Sequence, residues 1–329
     1  MTLTAALSLS VGAVTTTPAQ VISHLWAALH GADSSADSAA ILLIRLPRMV
    51  LALLIGAALA QSGAVTQGIF RNPMADPSLL GISSGAAFAA ALVIVLGPGF
   101  AAFDSRSLPY LLPIACFCGG TVIAWIIARI ASVDGYTSIS TLLLGGLAIS
   151  ALVNAGIGLL SYLANDTALR SLTFWMFGSL GKAGWDEILI ATPFILLPLL
   201  LIPRYASELN VLLLGEAEAA HLGVDVERVK RRLMLLVILA VSTSVSVAGV
   251  IGFVGLIVPH LLRLWVGPDH RLLLPASALL GGLLLMGADI VSRMLIPPSE
   301  IPIGILTALI GGPFFLALLL RYRKGVQTL

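Results

Sequence analysis

Side chains able to do bond chemistry are scarce in this sequence, and their spacing gives them no reaction to run. The five histidines, His24, His30, His221, His260 and His270, are scattered. None shows the HExxH spacing that would set two imidazoles on one helix face around a zinc ion. Gly178–Gly184 reads GSLGKAG. A phosphate loop needs four residues before its Gly-Lys pair and a Ser or Thr after it. Both are missing, so no nucleotide site is expected on this chain. Cys116 and Cys118 lie in an apolar run, and without further ligands or thiols the pair reads as helix packing. Asp289 is the one acid near the interior of an apolar segment, one helical turn before Arg293. Acids inside membrane segments often serve ion coupling, but this spacing favours an ion pair at a helix end. The chain is expected to bind no metal or cofactor and to catalyse nothing. If it moves a solute uphill, another chain must supply the energy. An ion-coupled carrier working alone is the reading from a different class, and the lack of intramembrane acids counts against it.

The elements that would position these residues are membrane helices. Of 329 residues, 58% are hydrophobic and 10% charged, against about 45–50% and about 25% in soluble domains. Such a surface needs lipid as its solvent, where only helices or closed barrels satisfy backbone groups. Apolar segments approaching the roughly 20 residues of a span fall near 49–69, 78–97, 109–131, 139–163, 186–203, 232–249, 252–266, 272–293 and 302–321. They are long and do not alternate, so strands are not expected. Leu3–Val14 is apolar but short, and it lacks the basic region of a signal peptide. It reads as the end of a first helix that is shortened or begins upstream. Residues 15–29 (TTTPAQVISHLWAAL) then read as a surface helix and 31–38 (GADSSADS) as a loop. Gly81, Gly85 and the pairs Gly145–Gly146, Gly281–Gly282 and Gly311–Gly312 fall inside spans, where small residues let helices approach closely.

Lysine and arginine set the sidedness. Counting alternate loops, one side holds Arg71, Arg129, Arg204, Arg228, Lys230, Arg231, Arg232, Arg263, Arg271, Arg321, Arg323 and Lys324. The other holds Arg45, Arg48, Arg106, Arg170, Lys182 and Arg293. The richer side is cytoplasmic. The net charge of +2 points to no nucleic-acid partner. Arg45, Arg48 and Arg293 cluster at outer helix ends. On the residues alone they are either snorkelling anchors or a positive rim for an acidic partner.

Two cytoplasmic stretches stand out. In QGIFRNPMADPSLLGISSGA (67–86), Asn72-Pro73 reads as a turn, Asp76 as an N-cap and Pro77 as a first helical residue. This is a rigid connection, with or without a partner surface. In LNVLLLGEAEAAHLGVDVERVKRR (209–232), Gly215 and Gly223 can bracket one short helix, Glu216–Leu222. Glu216 and Glu218 suit its N-terminal end. Ala217, Ala219 and Ala220 leave low relief that could sit in a partner's groove, or the stretch is a solvated loop. The run Arg228–Arg232 marks the return to the membrane.

Ordered motifs then tie the chain to a family. They are RLPR (45–48), GAALAQSGAVTQGIFRNPMADPSLLGISSGA (56–86), STLLLGGLAIS (140–150), LTFWMFGSLG (172–181), LLLGEAEAAHLGV (212–224), AGVIGFVGLIVPHLLRLWVGPDHR (248–271), LLMGADIVSR (284–293) and EIPIGILTALIGGPFF (300–315). Together they resemble the FecCD-type ABC import permeases, which carry vitamin B12, heme and ferric siderophores. The likeness covers nearly all of the chain from about residue 40. It implies an all-α polytopic protein of about ten transmembrane helices, a type II ABC importer permease bundle in the bacterial inner membrane. It implies one permease domain over 1–329, with an N-terminal partial helix and periplasmic segment at 1–44 and a coupling loop at 204–231. Implied partners are a second copy, two ATP-binding cassette subunits that hold the ATP and Mg, and a periplasmic binding protein.

Carried over residue by residue, the ATPase-coupling segment is Leu214, Gly215, Glu216, Ala217, Glu218, Ala219, Ala220, His221, Leu222 and Gly223. The binding-protein docking residues are Arg45, Arg48 and Arg293, which favours the rim reading. The cytoplasmic gate is Ser138, Ile139 and Ser140, and the spans at 139–163 and 302–321 line the pathway. The family's first helix is full length, unlike Leu3–Val14 here. Residues 162–185 (YLANDTALRSLTFWMFGSLGKAGW) look most like the heme importers, so heme is the expected substrate, with a ferric siderophore or cobalamin as alternatives.

Overall fold

The computed structural model describes residues 2–10, 17–29, 39–97, 108–133, 136–296 and 299–326. The loop expected at 31–38 and the tail of the apolar stretch at 11–14 lie outside these residues. Helix α1 spans Thr2–Ser10 and α2 spans Pro18–Leu29. A π-helical turn, Ile41–Arg45, runs into α3, Leu46–Ile69. Then follow α4 (Ile82–Leu96), α5 (Leu108–Ala131), α6 (Ile139–Leu163), α7 (Asp166–Met176) and α8 (Trp185–Leu201). The inner connection carries α9 (Ala206–Leu212) and α10 (Glu216–His221). The chain returns through α11 (Val226–Ala248), α12 (Val254–Val266), α13 (His270–Met294) and α14 (Ile303–Val326). Among the described residues six helices are long and apolar enough to cross a membrane, and three shorter apolar ones accompany them.

Local sequence sets the ends. Ser138, Asn165, Asp225 and Asp269 each accept a backbone N–H in the first turn of the helix they precede, the side-chain capping expected of these types. Helix α3 is the hub. Its core residues, from Leu51 to Ile69, pack against α8, α11, α12 and α13. Backbone approach is closest at paired glycines. A Cβ on Gly56 would collide with the Gly281 carbonyl, and one on Gly63 with Gly255. Gly85 and Gly119 do the same between α4 and α5. Of the glycine pairs expected to pack, Gly312 meets open space and a Cβ on Gly145 would only touch Ile130 of α5 at 3.9 Å, so neither position holds two backbones close.

The run between α11 and α12 is unwound. Gly249 (φ 71°) sits on the carbonyl of Trp175, and Phe253 holds a left-handed φ of 69° with its ring against Gly311. Irregular backbone at membrane depth survives only where protein groups satisfy it. Here Ser179 N donates to Ala248 O at 2.8 Å, Gly249 N to Val245 O and Val254 N to Gly252 O, each at 2.9 Å, while Ile303 N and Gly304 N brace the neighbouring turn at Gly178 O and Phe177 O, each at 3.0 Å.

Three sequence expectations are corrected. A two-stranded hairpin, β1 (Ser132–Val133) with β2 (Tyr136–Thr137), joins α5 to α6, where no strand was expected. Such short strands carry no periodic signal. The segment expected at 78–97 divides into a 3-10 turn, Pro77–Leu80, and α4, parted by left-handed Gly81 (φ 71°). The span expected at 232–249 begins at Val226, so Arg228–Arg232 are helical and do not form a loop. Helix α7 was not expected, because it is short and half polar and so does not stand out as an apolar run, although it is amphipathic.

Candidate functional site

Three groups of residues gather at the two ends of the bundle. At the inner end, α10 forms between Gly215 (φ 128°) and Gly223 (φ 85°), as the glycine bracket implied. Ala219 turns into the core beside Leu209 and Leu212. The opposite surface is open: Ala217, Glu218, Ala220, His221 and Gly223 are exposed, and Leu214 and Leu222 are each 65% exposed. Two bare leucines thus flank exposed alanines on an otherwise polar surface. Glu216 is only half-buried and belongs elsewhere: its Oε2 lies 2.6 Å from Lys230 Nζ.

Beside it lies the segment expected to gate. Ser138 N donates to Ala131 O at 2.9 Å, closing the hairpin, and Ser138 Oγ accepts from Thr141 N and Thr141 Oγ1 at the start of α6. Ser138 and Ser140 are exposed, and Ile139 is half-buried. Thr137, one residue earlier, donates to Glu227 Oε2 at 2.9 Å.

Between these segments and α3, two polar connections hold the inner loops. Asp76 Oδ1 accepts from Ser78 N at 2.8 Å, and burial pushes its carboxyl above the usual carboxylate range against that bond. Asp269 is held below that range, first by the Arg271 backbone N–H and then by Asn210. The expected turn at Asn72 is present, with Asn72 Oδ1 accepting from Met74 N.

At the outer end the structure brings all three candidate arginines together. Arg48 Nε donates to Asp289 Oδ1 at 2.7 Å, and Arg48 Nη1 donates to both oxygens of Glu300 at 2.8 Å. Arg293 Nη2 lies 3.0 Å from Asp289 Oδ2, an ion pair without hydrogen-bond alignment, and also reaches Ser8. Arg45 Nη1 donates to Leu9 O at 2.7 Å. The expected Asp289–Arg293 pair is therefore present, inside a larger network. Arg45 and Arg48 are buried, so the open rim expected from the sequence is, in this chain, closed by its own acids and by α1. Sequence reasoning missed Glu300 as their partner. It stands 252 residues from Arg48, and no local pattern signals such a pairing.

Near Glu300 a cavity of roughly 620 Å³ opens between α4, α5 and α7. Its lining includes Arg170, Phe174, Trp175, Lys182 and Leu112. Among the described residues no three His, Cys, Asp or Glu side chains gather to hold a metal.

The sequence profile of the FecCD transport family matches residues 1–321. The chain belongs to the FecCD transport family. This FecCD permease is 48% identical over 286 residues to the hemin transport system permease protein HmuU of Yersinia pestis, covering 85% of this chain and 83% of that one. It is 47% identical over 278 residues to the cobalamin import system permease protein BtuC of Halobacterium salinarum, covering 84% and 72%. A solved inward-facing conformation of a putative metal-chelate type ABC transporter superposes with a TM-score of 0.83 at 34% identity, covering 97% of this chain and 96% of that one. The FecCD chain is thus an ABC importer permease, a multi-pass protein of the inner membrane.

Proposed function

We propose that this permease works as a homodimer that carries heme inward from a periplasmic binding protein, driven by two separate ATP-binding cassette subunits. The observation that carries the energy-coupling part is the exposed leucine and alanine surface of Leu214–Gly223, on the Lys/Arg-rich side of a chain with no nucleotide motif. ATP and Mg would be held by the partner that docks there. Ser138, Ile139 and Ser140 would form the cytoplasmic mouth. Arg45, Arg48 and Arg293 would receive acids of the binding protein, in exchange for contacts they now make within the chain. The open faces of α6 and α14, with bare Gly158 and Gly312, would meet the second copy and line the pathway.

Heme is supported by the likeness to the hemin permease of Yersinia pestis. The outer cavity adds to this, because Phe174 and Trp175 beside Arg170 and Lys182 suit an aromatic macrocycle bearing carboxylates. Cobalamin is the second reading, on a likeness of nearly equal identity. The test is uptake into vesicles containing the permease and its ATPase, with binding protein outside. Hemin, a ferric siderophore and cobalamin are compared with and without ATP. ATP-dependent uptake of hemin alone is the expected result. Uptake of cobalamin in its place overturns the substrate, and uptake driven by an ion gradient without ATP overturns the importer reading.

A further inference from the structure

Of the four bases in the run Arg228–Arg232, three are exposed and one is withdrawn. Lys230 is 1% exposed, although its long stem could carry the ammonium to water, as lysines at membrane ends commonly do. It sits between two carboxylates, 2.6 Å from Glu216 of α10 and 3.4 Å from Glu227 of its own helix. Glu227 in turn accepts from Thr137 Oγ1 at 2.9 Å, across 90 residues of sequence. Thr137 ends the hairpin and immediately precedes Ser138, the cap of α6. Three contacts thus connect the first residue of the docking helix to Thr137, the residue before the N-cap of the helix at the expected cytoplasmic mouth. A buried ion pair adds little net stability over an apolar replacement, and its best-attested use is to fix register between elements.

We infer that Lys230 is a positioning residue that ties α10 through Glu227 and Thr137 to the start of α6, so that displacement of the docking helix is delivered to the cytoplasmic mouth. The relay rests on the importer reading for its direction of use. Its geometry stands without that reading. Arg228 pairs with Asp225 on the exposed side and takes no part. Lys230→Met keeps the length of the stem and removes the charge. Thr137→Val removes one hydroxyl and leaves Glu216–Lys230 intact, so it reports on the relay even if the lysine variant folds poorly.

Two readouts test this on the full chain. In the permease alone, with Cys118→Ser, a Ser140→Cys thiol reports access to the mouth through its rate of maleimide labelling. Each variant should change that rate by about twofold or more, the low end of the coupling measured between contacting residues in one network. The combined variant should match the stronger single one, because links in series break once. In liposomes with the partner ATPase and binding protein, both variants should keep ATP hydrolysis while hemin taken up per ATP falls by about tenfold, within the same range of coupling. Unchanged labelling in both single variants, or labelling effects that add, overturns the relay. Wild-type liposomes that hydrolyse ATP without taking up hemin overturn the heme reading instead, and labelling then decides the relay by itself.

Discussion

Asp289 is 0% exposed and shared by two arginines, whereas Glu300 is 40% exposed and pairs with Arg48. Burial decides what each is worth. Removing one partner of a buried pair leaves a charge without water or counter-charge and costs about 3–5 kcal/mol. An exposed partner contributes about 0–1 kcal/mol. Asp289→Ala is therefore expected to lower the melting temperature in detergent far more than Glu300→Ala, and equal shifts would contradict the burial argument. The same reasoning changes how the docking arginines are probed. Arg48→Glu would set a third carboxylate beside Asp289 and Glu300, so loss of binding could reflect loss of fold. The Arg293 side chain is as enclosed as that of Arg48, each 7% exposed, so the milder probe is a neutral one of similar length that adds no carboxylate, read beside the melting temperature. With Arg293→Gln, binding-protein affinity should fall. In the wild type it should weaken with salt, since screening tightens from about 10 Å at 0.1 M to about 3 Å at 1 M. Asp269 gives a pH signature. Its carboxyl is held below the ordinary 3.8, so its stabilisation is present at neutral pH and is lost as pH falls through the depressed value. The stability gap between wild type and Asp269→Ala should close on acidification, and a gap that widens would reverse the sign.

At the scale of elements, the glycine contacts divide the helices into fixed and free. Gly63→Ala must push α3 from the Gly255 backbone, which no rotamer change can relieve, at about 1–3 kcal/mol. Gly158→Ala meets nothing within 4 Å in its own chain and should stay within about 0.5 kcal/mol in the detergent-solubilised monomer. Thermal unfolding of the two variants compares them directly. The docking helix is the other free element. Ala217→Trp with Ala220→Trp adds bulk only to the exposed face of α10, leaving Ala219 and the Glu216–Lys230 pair in place. Co-purification of the ATPase should be lost while the permease still folds. Retained complex formation would remove α10 from the docking surface.

For the whole molecule, the amino-acid sequence by itself determined that this is a helical membrane protein, and it located most spans within a few residues. Lipid permits few backbone solutions, and the length of an apolar run is a local quantity. The start of α6 at Ile139 and the bracketed helix α10 were legible for the same reason: an apolar run and two flanking glycines are local signals. Only the tertiary structure decided which charges face outward. In the sequence Arg45 and Arg48 read as anchors or as a rim for an acidic partner, and Lys230 as one base of the run that returns to the membrane. Each is buried because an acid or a carbonyl far away in sequence arrives beside it: Leu9 for Arg45, Asp289 and Glu300 for Arg48, Glu216 for Lys230. Likewise, Gly281 packs and Gly312 lies bare though both sit in Gly-Gly pairs. A residue's type sets what contacts it can make, but charge burial and close approach depend on the partner that folding delivers, and sequence spacing does not carry that information.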